Sequence, residues 1–354
     1  MNSFELIKRL CNTFGPTGCE DAVAELIKRE ISDDCQNVST DRMGNLIATM
    51  RFGDLNAVKR KKIMVCAHMD EVGFMINEIK SNGYLGIATV GGISDSVLAG
   101  RRVSVLSKKG LINGVIASKA IHHKPRKDRK KTTPIDKLYI DIGARDGDQA
   151  KEYVGVGDFA TFESEFYAFG DGYVKGKALD DRMGCAAMIE MMHRLHAQPA
   201  ENDVDVYFCF TVREEIGLSG AHAVAFRIRP DLAIVLETTA VADIADTPAA
   251  KRVADTGSGA VISVMDKSTM YDRTLVNKAI ETANNNGIKA QLKRYVSGGN
   301  DAGPIHKTAE GIKTLAISVP TRYLHSPACV AKLDDYETVS MLCEQLIREF
   351  KEEI

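Results

Sequence analysis

The spacing of apolar residues changes twice along the 354 residues of the sequence, and this change limits the folds that the chain can adopt. Residues 1–70 and 166–354 alternate helix-like apolar periodicity with short apolar runs typical of strands covered on both faces. Between them, residues 71–165 contain short β-like stretches separated by glycine turns. We therefore predict an α/β domain with a doubly wound, mixed but mainly parallel sheet covered by helices, interrupted by a small all-β, barrel-like domain.

Composition and charge exclude several classes of protein. With 44% hydrophobic and 27% charged residues, the chain has the composition of a globular protein, and no apolar run is long enough for a membrane span. A net charge of −2 argues against a polyanion-binding protein. The basic segment 124–131 (KPRKDRKK) is an exception, but no aromatic residues interleave with it, so we predict a solvated loop and no nucleic-acid site.

The cysteines and the first residues indicate the compartment. Eight cysteines are scattered along the chain, none of them in a CxxC pair, and they are typical of reduced thiols. Residues 1–5 do not have the basic-then-apolar order of a secretory signal. We expect a cytoplasmic protein.

Imidazole and carboxylate side chains occur beside the predicted strands and helices at five places. Functional groups in an open α/β sheet gather beyond the carboxyl ends of the strands. Four of the places follow strands and the fifth precedes a helix: His68–Glu71, Arg213–Glu215, Glu237, His325 and Ala178–Asp181. None of them contains a serine or cysteine motif of a nucleophilic hydrolase.

Two histidines with several carboxylates form the ligand set of Zn²⁺ or a similar divalent cation. They are too many for one tetrahedral site, and they suit two cations about 3.5–4 Å apart that share a bridging carboxylate. Each position also has a simpler explanation: a hydrogen-bonded structural histidine, a solvated pair of glutamates, or a helix cap at Asp180 and Asp181. Convergence of all five places favours a metal site.

Five ordered motifs carry a resemblance over nearly the whole chain. They are CAHMDEVG at 66–73, KALDDRMG at 177–184, REEIGLSGA at 213–221, GGNDAG at 298–303 and HSP at 325–327. Together they resemble the TET-type dinuclear metallo-aminopeptidases, a family that includes glutamyl aminopeptidases and some members labelled endoglucanases. The resemblance implies a zinc-peptidase-like fold and assembly of dimers into a dodecamer.

The resemblance also implies a role for each predicted site residue. Asp180 would bridge the two metals, with Glu214 as general base and Asp70 as the partner of His68. The remaining ligands would be His68 and Glu237 for one metal, and Glu215 and His325 for the other. Many relatives have Asp in place of Glu237, and the extra methylene here could change metal preference or site geometry.

The chemistry of the residues agrees with these roles. Asp70 is two residues after His68, so its carboxylate can accept the other ring N–H and fix the tautomer. Glu214 and Glu215 are adjacent at a strand end, where successive side chains diverge. One can therefore bind a cation while the other faces the attacking water.

We expect a metal-dependent aminopeptidase that removes N-terminal residues from short peptides. Its cofactors would be two divalent ions per chain, with Zn²⁺ or Co²⁺ favoured and Mn²⁺ also accepted by such ligands. Alternatives are another dinuclear amidohydrolase, such as a deacetylase or carboxypeptidase, an endoglucanase, or a catalytically silent scaffold. A glycosidase needs two carboxylates that flank a sugar bond, which argues against the endoglucanase label. The preferred N-terminal residue stays open.

The inserted domain is predicted to mediate homo-oligomerisation. It adds edge strands and apolar side chains that a unit of this size would not bury alone. These apolar residues are Val97, Leu98, Val103, Val105, Leu111, Ile112, Val115 and Ile116.

The glycine-rich loop 298–303 either shapes the substrate pocket or is a plain turn before a helix.

Overall fold

Two separate β systems organise residues 2–350, the part of the chain that the computed structural model describes. One is an eleven-stranded mixed sheet, and the other is a closed six-stranded barrel. The strands are β1 (Asn37–Thr40), β2 (Leu46–Arg51), β3 (Lys61–His68), β4 (Gly73–Ile79), β5 (Leu85–Val90), β6 (Arg102–Ser107), β7 (Gly110–Ala117), β8 (Tyr139–Asp141), β9 (Phe159–Phe162), β10 (Tyr167–Phe169), β11 (Tyr173–Gly176), β12 (Val204–Thr211), β13 (Leu232–Ala240), β14 (Ala260–Ile262), β15 (Ala290–Leu292), β16 (Lys313–Arg322) and β17 (Cys329–Lys332).

The α-helices lie mainly in the α/β domain and form two groups. They are α1 (Ser3–Asn12), α2 (Asp21–Ile31), α3 (Gly147–Tyr153), α4 (Leu179–Ala197), α5 (Ser219–Ile228), α6 (Arg273–Asn285), α7 (Ala302–Ile305) and α8 (Leu333–Arg348). α4 packs against α1, α2 and α8, and α8 packs against α6, whereas α5 and α7 pack together. Both groups contact the large sheet. α4 is buried on every side over its first three turns, as expected for a helix at the centre of the domain.

Four parallel strands, in the order β12, β3, β13 and β16, form the centre of the large sheet. β2 pairs antiparallel with β12 on one side, and β17 pairs antiparallel with β16 on the other. Because the central strands are parallel, their carboxyl ends meet at one edge. The predicted fold class, a mixed α/β sheet covered by helices, is confirmed.

The insert is a barrel in which β4, β5, β8, β7, β6 and β9 pair in a closed ring. The predicted barrel-like insert is therefore confirmed, and we keep 71–165 as its proposed limits. The insert also contains α3, which the sequence analysis did not predict. Asp146 caps this short helix by accepting the amide of Gln149.

The prediction that the insert adds edge strands was wrong, because ring closure leaves the barrel no unpaired edge. Four of the eight apolar side chains are fully buried inside the barrel, where they form its own core. These four are Leu98, Val103, Val105 and Ile116. Leu111 and Val115 stay exposed, at 54% and 43% of their surface.

The sequence also predicts reduced cysteines and no membrane span. All eight cysteines are free, and six of them are buried. Among residues 2–350, no helix combines the length and the apolar character that crossing a membrane requires.

A buried glutamate joins the barrel to the α/β domain. Glu71 lies just before β4, and its Oε1 is 2.5 Å from the Nζ of Lys177. Its Oε2 accepts a hydrogen bond of 2.9 Å from Thr161 on β9. Both ends of the insert are thus tied to the segment that leads into α4.

Arg182 ties the N-terminal segment to the first turns of α4. Its side chain is fully buried and donates to the carbonyl oxygens of Leu10 at 2.6 Å, Thr13 at 3.3 Å and Gly15 at 3.2 Å. A Cβ at Gly15 would lie 2.6 Å from the guanidinium, so this close approach requires glycine. One side chain therefore donates to three backbone carbonyl groups of the N-terminal segment.

The Arg182→Ala variant should lose about 3 kcal/mol of unfolding free energy, because it removes three hydrogen bonds from a charged donor and leaves a cavity where the buried side chain was. Chemical denaturation followed by circular dichroism measures this loss. The exposed Arg42 provides the matched control, and Arg42→Ala should change the free energy by less than about 0.5 kcal/mol. Equal stability of the two variants would show that Arg182 is dispensable for the fold.

Candidate active site

Asp180 lies at the centre of the predicted site. Its Oδ1 is 3.2 Å from Nε2 of His68, and its Oδ2 is 3.2 Å from Nε2 of His325. Each oxygen of one carboxylate therefore faces a different imidazole. Asp180 is the second residue of α4 and has non-helical dihedral angles, and its peptide bond to Asp181 is cis.

His68 and Glu237 form one side of the site, with His68 at the end of β3 and Glu237 within the neighbouring parallel strand β13, which continues to Ala240. Nε2 of His68 is 3.6 Å from Oε1 of Glu237. Asp181 also belongs to this side, since one ligand atom from each of the three residues lies within 4.8 Å of the other two. Oδ2 of Asp181 is buried and has no hydrogen-bond partner in the described structure. Asp181 was not predicted from the sequence as a member of this group.

Glu215 and His325 form the other side. Nε2 of His325 is 3.4 Å from Oε2 of Glu215, and ligand atoms of these residues and Asp180 lie within 4.8 Å of one another. Nδ1 of His325 is 2.7 Å from the carbonyl oxygen of Gly92 in the barrel domain. Because a carbonyl oxygen only accepts, Nδ1 donates, and Nε2 is left to face Asp180 and Glu215.

Asp70 contacts His68 by a different route from the one expected. Nδ1 of His68 is 3.0 Å from the backbone carbonyl oxygen of Asp70 and 3.5 Å from its carboxylate. The carboxylate accepts hydrogen bonds from the hydroxyl of Thr17 at 2.7 Å and from the amides of Glu214 at 3.1 Å and Glu215 at 3.2 Å. Asp70 therefore fixes the backbone of the two glutamates as well as the imidazole.

Hydrogen bonds keep Asp70 ionised in this interior. Burial would raise the pKa of Asp70, but its bonds with His68, Thr17 and the Glu214 amide lower it below the ordinary value. Thr17 belongs to the turn between α1 and α2, and nothing in its local sequence marked it as part of the site.

Glu214 and Glu215 lie in a turn after the end of β12, so the divergence expected of successive residues in a strand does not apply to them. Arg213 adopts a φ of 59°, in the left-handed region, and this turns the chain between the strand and the two glutamates. Oε2 of Glu215 lies 3.4 Å from Nε2 of His325, and ligand atoms of Glu214, Glu215 and His68 lie within 4.8 Å of one another. Both glutamates line the same cavity.

Carboxyl groups outnumber imidazoles in this buried site, and this imbalance shifts the pKa values of both. Burial and the charge of Asp180 raise the pKa of Glu215 to about 8. Burial raises the pKa of Glu237 to about 7, although the nearby charge of His68 opposes this. Burial alone would lower the pKa of His325, but hydrogen bonding to Asp180 and the charge of Glu215 raise it to about 9.

The donor set fits divalent cations. Oε1 of Glu215 and Oδ2 of Asp181 are buried without a hydrogen-bond partner, and both belong to the ligand groups described above. Unpartnered carboxylate oxygens beside imidazole nitrogens are typical of a metal centre. Cations would also offset the burial and the repulsion from Asp180 that raise the pKa of Glu215.

A cavity of about 520 Å³ opens beside these side chains. The glycine-rich loop contributes Gly298, Gly299 and Asn300 to its wall, so this loop shapes the cavity. The rest of the wall includes residues from the barrel domain, the end of β13 and the segment before β17: Gly92, Ser94, Val97, Thr238, Thr239, Ala240, Lys293, Ser297, Ser318 and Leu324. Another cavity of about 460 Å³, between α1 and the barrel, contains none of the predicted site residues.

Asp301 is a further acidic residue beneath the site. Its Oδ2 accepts a hydrogen bond of 2.6 Å from Thr211 at the end of β12, and its Oδ1 is buried without a partner. Burial raises the pKa of Asp301 to about 6. The residue lies in the GGNDAG motif, so the sequence carried a signal for it.

Comparison with known proteins gives consistent matches over almost the full chain. A family model described as M42 glutamyl aminopeptidase matches residues 44–342. A protein of Acetivibrio thermocellus named as an aminopeptidase is 36% identical over 344 residues, which cover 97% of this chain and 98% of that protein. The lysyl aminopeptidase of Pyrococcus furiosus is 30% identical over 355 residues, which cover 99% and 98%.

Solved structures show the same similarity. A TET aminopeptidase of a marine-sediment Thaumarchaeota archaeon is 34% identical with a TM-score of 0.94, covering 99% of this chain and 97% of that one. The TET1 peptidase of Pyrococcus horikoshii, which can assemble into a tetrahedron or a large octahedral shell, is 36% identical with a TM-score of 0.88, covering 99% and 100%. The chain therefore belongs to the M42 family of aminopeptidases, which are peptide-bond hydrolases.

Proposed function

We propose that this chain is a metal-dependent aminopeptidase that removes N-terminal residues from short peptides. The observation that carries the proposal is the position of Asp180, whose two oxygens each face a different imidazole at 3.2 Å. Each imidazole also has its own glutamate, within 3.6 Å for His68 and 3.4 Å for His325. This symmetry supports two cation sites that share one carboxylate.

The proposed ligands are the five residues inferred from the sequence. His68 and Glu237 would hold one divalent cation, His325 and Glu215 the other, and Asp180 both. Zn²⁺ or Co²⁺ would suit this mixed nitrogen and oxygen set, and Mn²⁺ would also be accepted. When bound, such cations lower the pKa of a water molecule and polarise the scissile carbonyl group.

The remaining roles fall to residues that line or support the cavity. Glu214 accepts a proton from the attacking water and passes it to the leaving amine. Asp70 holds the Glu214 amide and the His68 ring, which keeps the base aligned with the ligands. The acidic cavity wall attracts the ammonium group of a peptide N-terminus, which supports exopeptidase activity.

The geometry favours this function over the other candidates. An endoglucanase would need one acid and one base carboxylate on opposite sides of a sugar bond, whereas these carboxylates converge on two imidazoles. A silent scaffold would not need Glu214 in the cavity wall together with a full ligand set.

The free state of all eight cysteines supports a reducing compartment, and we propose that the protein is cytoplasmic.

The direct test is a panel of aminoacyl-p-nitroanilides with free amino groups, together with N-acetylated versions of the same compounds. We expect hydrolysis of the free compounds alone, complete loss after chelation, and recovery when Zn²⁺, Co²⁺ or Mn²⁺ is added. Cleavage of the N-acetylated compounds would favour a different amidohydrolase. Full activity in metal-free protein would exclude the proposed mechanism.

A pair of variants separates the proposed base from the proposed bridging ligand. Glu214→Gln should keep the metal content of the unaltered protein, but its kcat should fall by about 10²–10⁴-fold because an amide cannot accept the proton. Asp180→Ala should lose metal from both sites, because its carboxylate contacts both imidazoles. Metal analysis by mass spectrometry and steady-state kinetics measure these effects.

The exposed Glu201 offers a control for the loss of one carboxylate. Glu201→Gln should leave both metal content and kcat as they are in the unaltered protein. Normal turnover in Glu214→Gln would assign the base to another carboxylate, with Asp181 the next candidate. Two tightly bound metals in Asp180→Ala would contradict a bridging role.

We also propose that the chain assembles into a closed homo-oligomer through its barrel domain, with a dodecamer as the specific form. Leu106, Leu111 and Val115 are exposed apolar residues on one face of the paired strands β6 and β7, where the polar pair Ser104–Asn113 separates the Leu106–Leu111 pair from Val115. An exposed face that combines apolar and polar side chains in this way suits a contact between subunits. Active sites inside a closed assembly would admit short peptides and exclude folded proteins.

Light scattering coupled to size exclusion should give a mass several times the 38.6 kDa of one chain. The Leu111→Glu/Val115→Glu double variant should lower this mass, because it replaces two exposed apolar side chains of this face with charged ones. Val156→Glu is the control, since Val156 is exposed in a turn of the barrel outside β6 and β7. A monomeric, active wild-type protein at micromolar concentration would refute the assembly.

A further inference from the structure

Glu20 directly precedes α2, but its side chain does not cap that helix. The residue occupies the N-cap position, and no side-chain capping hydrogen bond is formed there. N-cap positions usually carry a short polar side chain whose oxygen accepts an amide of the first turn. The carboxylate of Glu20 therefore serves a different part of the chain.

This carboxylate reaches the turn that follows β12. Oε1 of Glu20 accepts hydrogen bonds from the amide of Gly18 at 2.9 Å and from the amide of Arg213 at 3.3 Å. Glu20 is only 8% exposed, and within residues 2–350 no basic side chain forms an ion pair with it. A buried carboxylate without a basic partner is unfavourable unless hydrogen bonds hold it. The two backbone amides supply those hydrogen bonds.

Glu20 and Asp70 together hold three successive amides of the turn after β12. Asp70 accepts the amides of Glu214 and Glu215. Glu20 accepts the amide of Arg213, the residue before them. The left-handed φ of Arg213 is a conformation that residues other than glycine adopt at a cost in free energy. The hydrogen bond to its amide offsets part of this cost and fixes the direction in which the chain enters the two glutamates.

The turn between α1 and α2 anchors Glu20 next to Asp70. The amide of Glu71 donates to the carbonyl oxygen of Gly15 at 3.1 Å, and the amide of Thr17 donates to the carbonyl oxygen of Glu71 at 3.1 Å. The hydroxyl of Thr17 donates to the carboxylate of Asp70 at 2.7 Å. Glu20 and Asp70 therefore belong to one hydrogen-bonded region that supports the turn after β12.

We propose that Glu20 is a positioning residue for catalysis, which holds the turn after β12 in the conformation that directs Glu214 at the attacking water. The inference rests on the proposed function, in which Glu214 is the general base. Glu20 is neither one of the cavity-lining residues nor one of the grouped ligand residues, so it acts through the backbone of Arg213. Placement matters for proton transfer, since a displacement of about 1 Å can lower a rate about 100-fold.

The variants Glu20→Met and Glu20→Gln separate the acceptor oxygen from the bulk of the side chain. Both keep a side chain of similar length, but only glutamine retains an oxygen that can accept the two amides. In Glu20→Met, kcat should fall about 10- to 100-fold while metal content stays the same and KM changes by less than about threefold. Glu20→Gln should keep kcat within about threefold of the unaltered protein, because the acceptor is still present.

Glu25→Met provides the matched control, because it alters an exposed glutamate of the same helix and should leave kcat unchanged. Circular dichroism of each variant confirms that it is folded before the kinetics are compared. A kcat of Glu20→Met equal to that of Glu25→Met would overturn the inference. Equal losses in Glu20→Met and Glu20→Gln would also overturn it, since the acceptor oxygen would then be irrelevant.

Combining Glu20→Met with Glu214→Gln tests whether Glu20 acts through the proposed base. A general loss of packing would lower the residual kcat of Glu214→Gln by the same factor as it lowers that of the unaltered protein. A residue that positions the base should have little further effect once the base is removed, so the double variant should stay within about threefold of Glu214→Gln. Full additivity of the two substitutions would show that Glu20 does not act through Glu214.

Hydrogen exchange requires no turnover and therefore separates this inference from the proposed function. The Arg213 amide and its neighbours should exchange about 10-fold faster in Glu20→Met than in Glu20→Gln or the unaltered protein, because the turn opens more often. Mass spectrometry of a peptide that spans residues 212–218 measures this, with a peptide from β13 as the reference. If no peptide substrate is cleaved, the proposed function fails, while the exchange still decides whether Glu20 holds the turn. Unchanged exchange would contradict that role.

Discussion

Repulsion between carboxylates that the fold buries together is the constraint on which the site depends. Asp180, Asp181, Glu214, Glu215 and Glu237 converge on one edge of the sheet, where two imidazoles are the nearest compensating groups. Such a cluster persists when strong packing and hydrogen bonds hold the backbone beneath it. The central parallel strands, the amides fixed by Asp70 and the buried α4 supply that support. The divalent cations that we propose as cofactors would offset both the burial and the repulsion of these carboxylates.

The sequence predicted those parts of the site that follow from the sheet. His68, Glu215 and Glu237 could be found because parallel strands bring their carboxyl ends to one edge, and apolar strands are visible as runs of residues. The contributions of Thr17 and Glu20 could not be found in this way. They depend on how loops pack across the sheet, and single polar residues in loops carry no periodic signal.

The fold was predicted at the level of its two domains and less well at the level of packing. Alternation and glycine turns identified the β insert, but they did not show that β4 pairs with β9 and closes the ring. Closure removed the expected edges and buried Val103 and Ile116 inside the barrel. It also placed the carbonyl group of Gly92 against His325, so the insert supports the site directly.

Barrel closure has a consequence for how the chain folds. β3 and β12 are neighbours in the sheet, yet Lys61 pairs with Val204 across a long stretch of sequence, and closing such a loop costs chain entropy. The barrel reduces this cost, because Phe74 near its entry pairs with Ala160 near its exit. Once the barrel has folded, its roughly 90 residues hold the entering and leaving segments of the chain close together, as a short rigid link would. The barrel should therefore form before the central sheet, and damage to it should slow folding of the α/β domain even where the native contacts of that domain are unchanged.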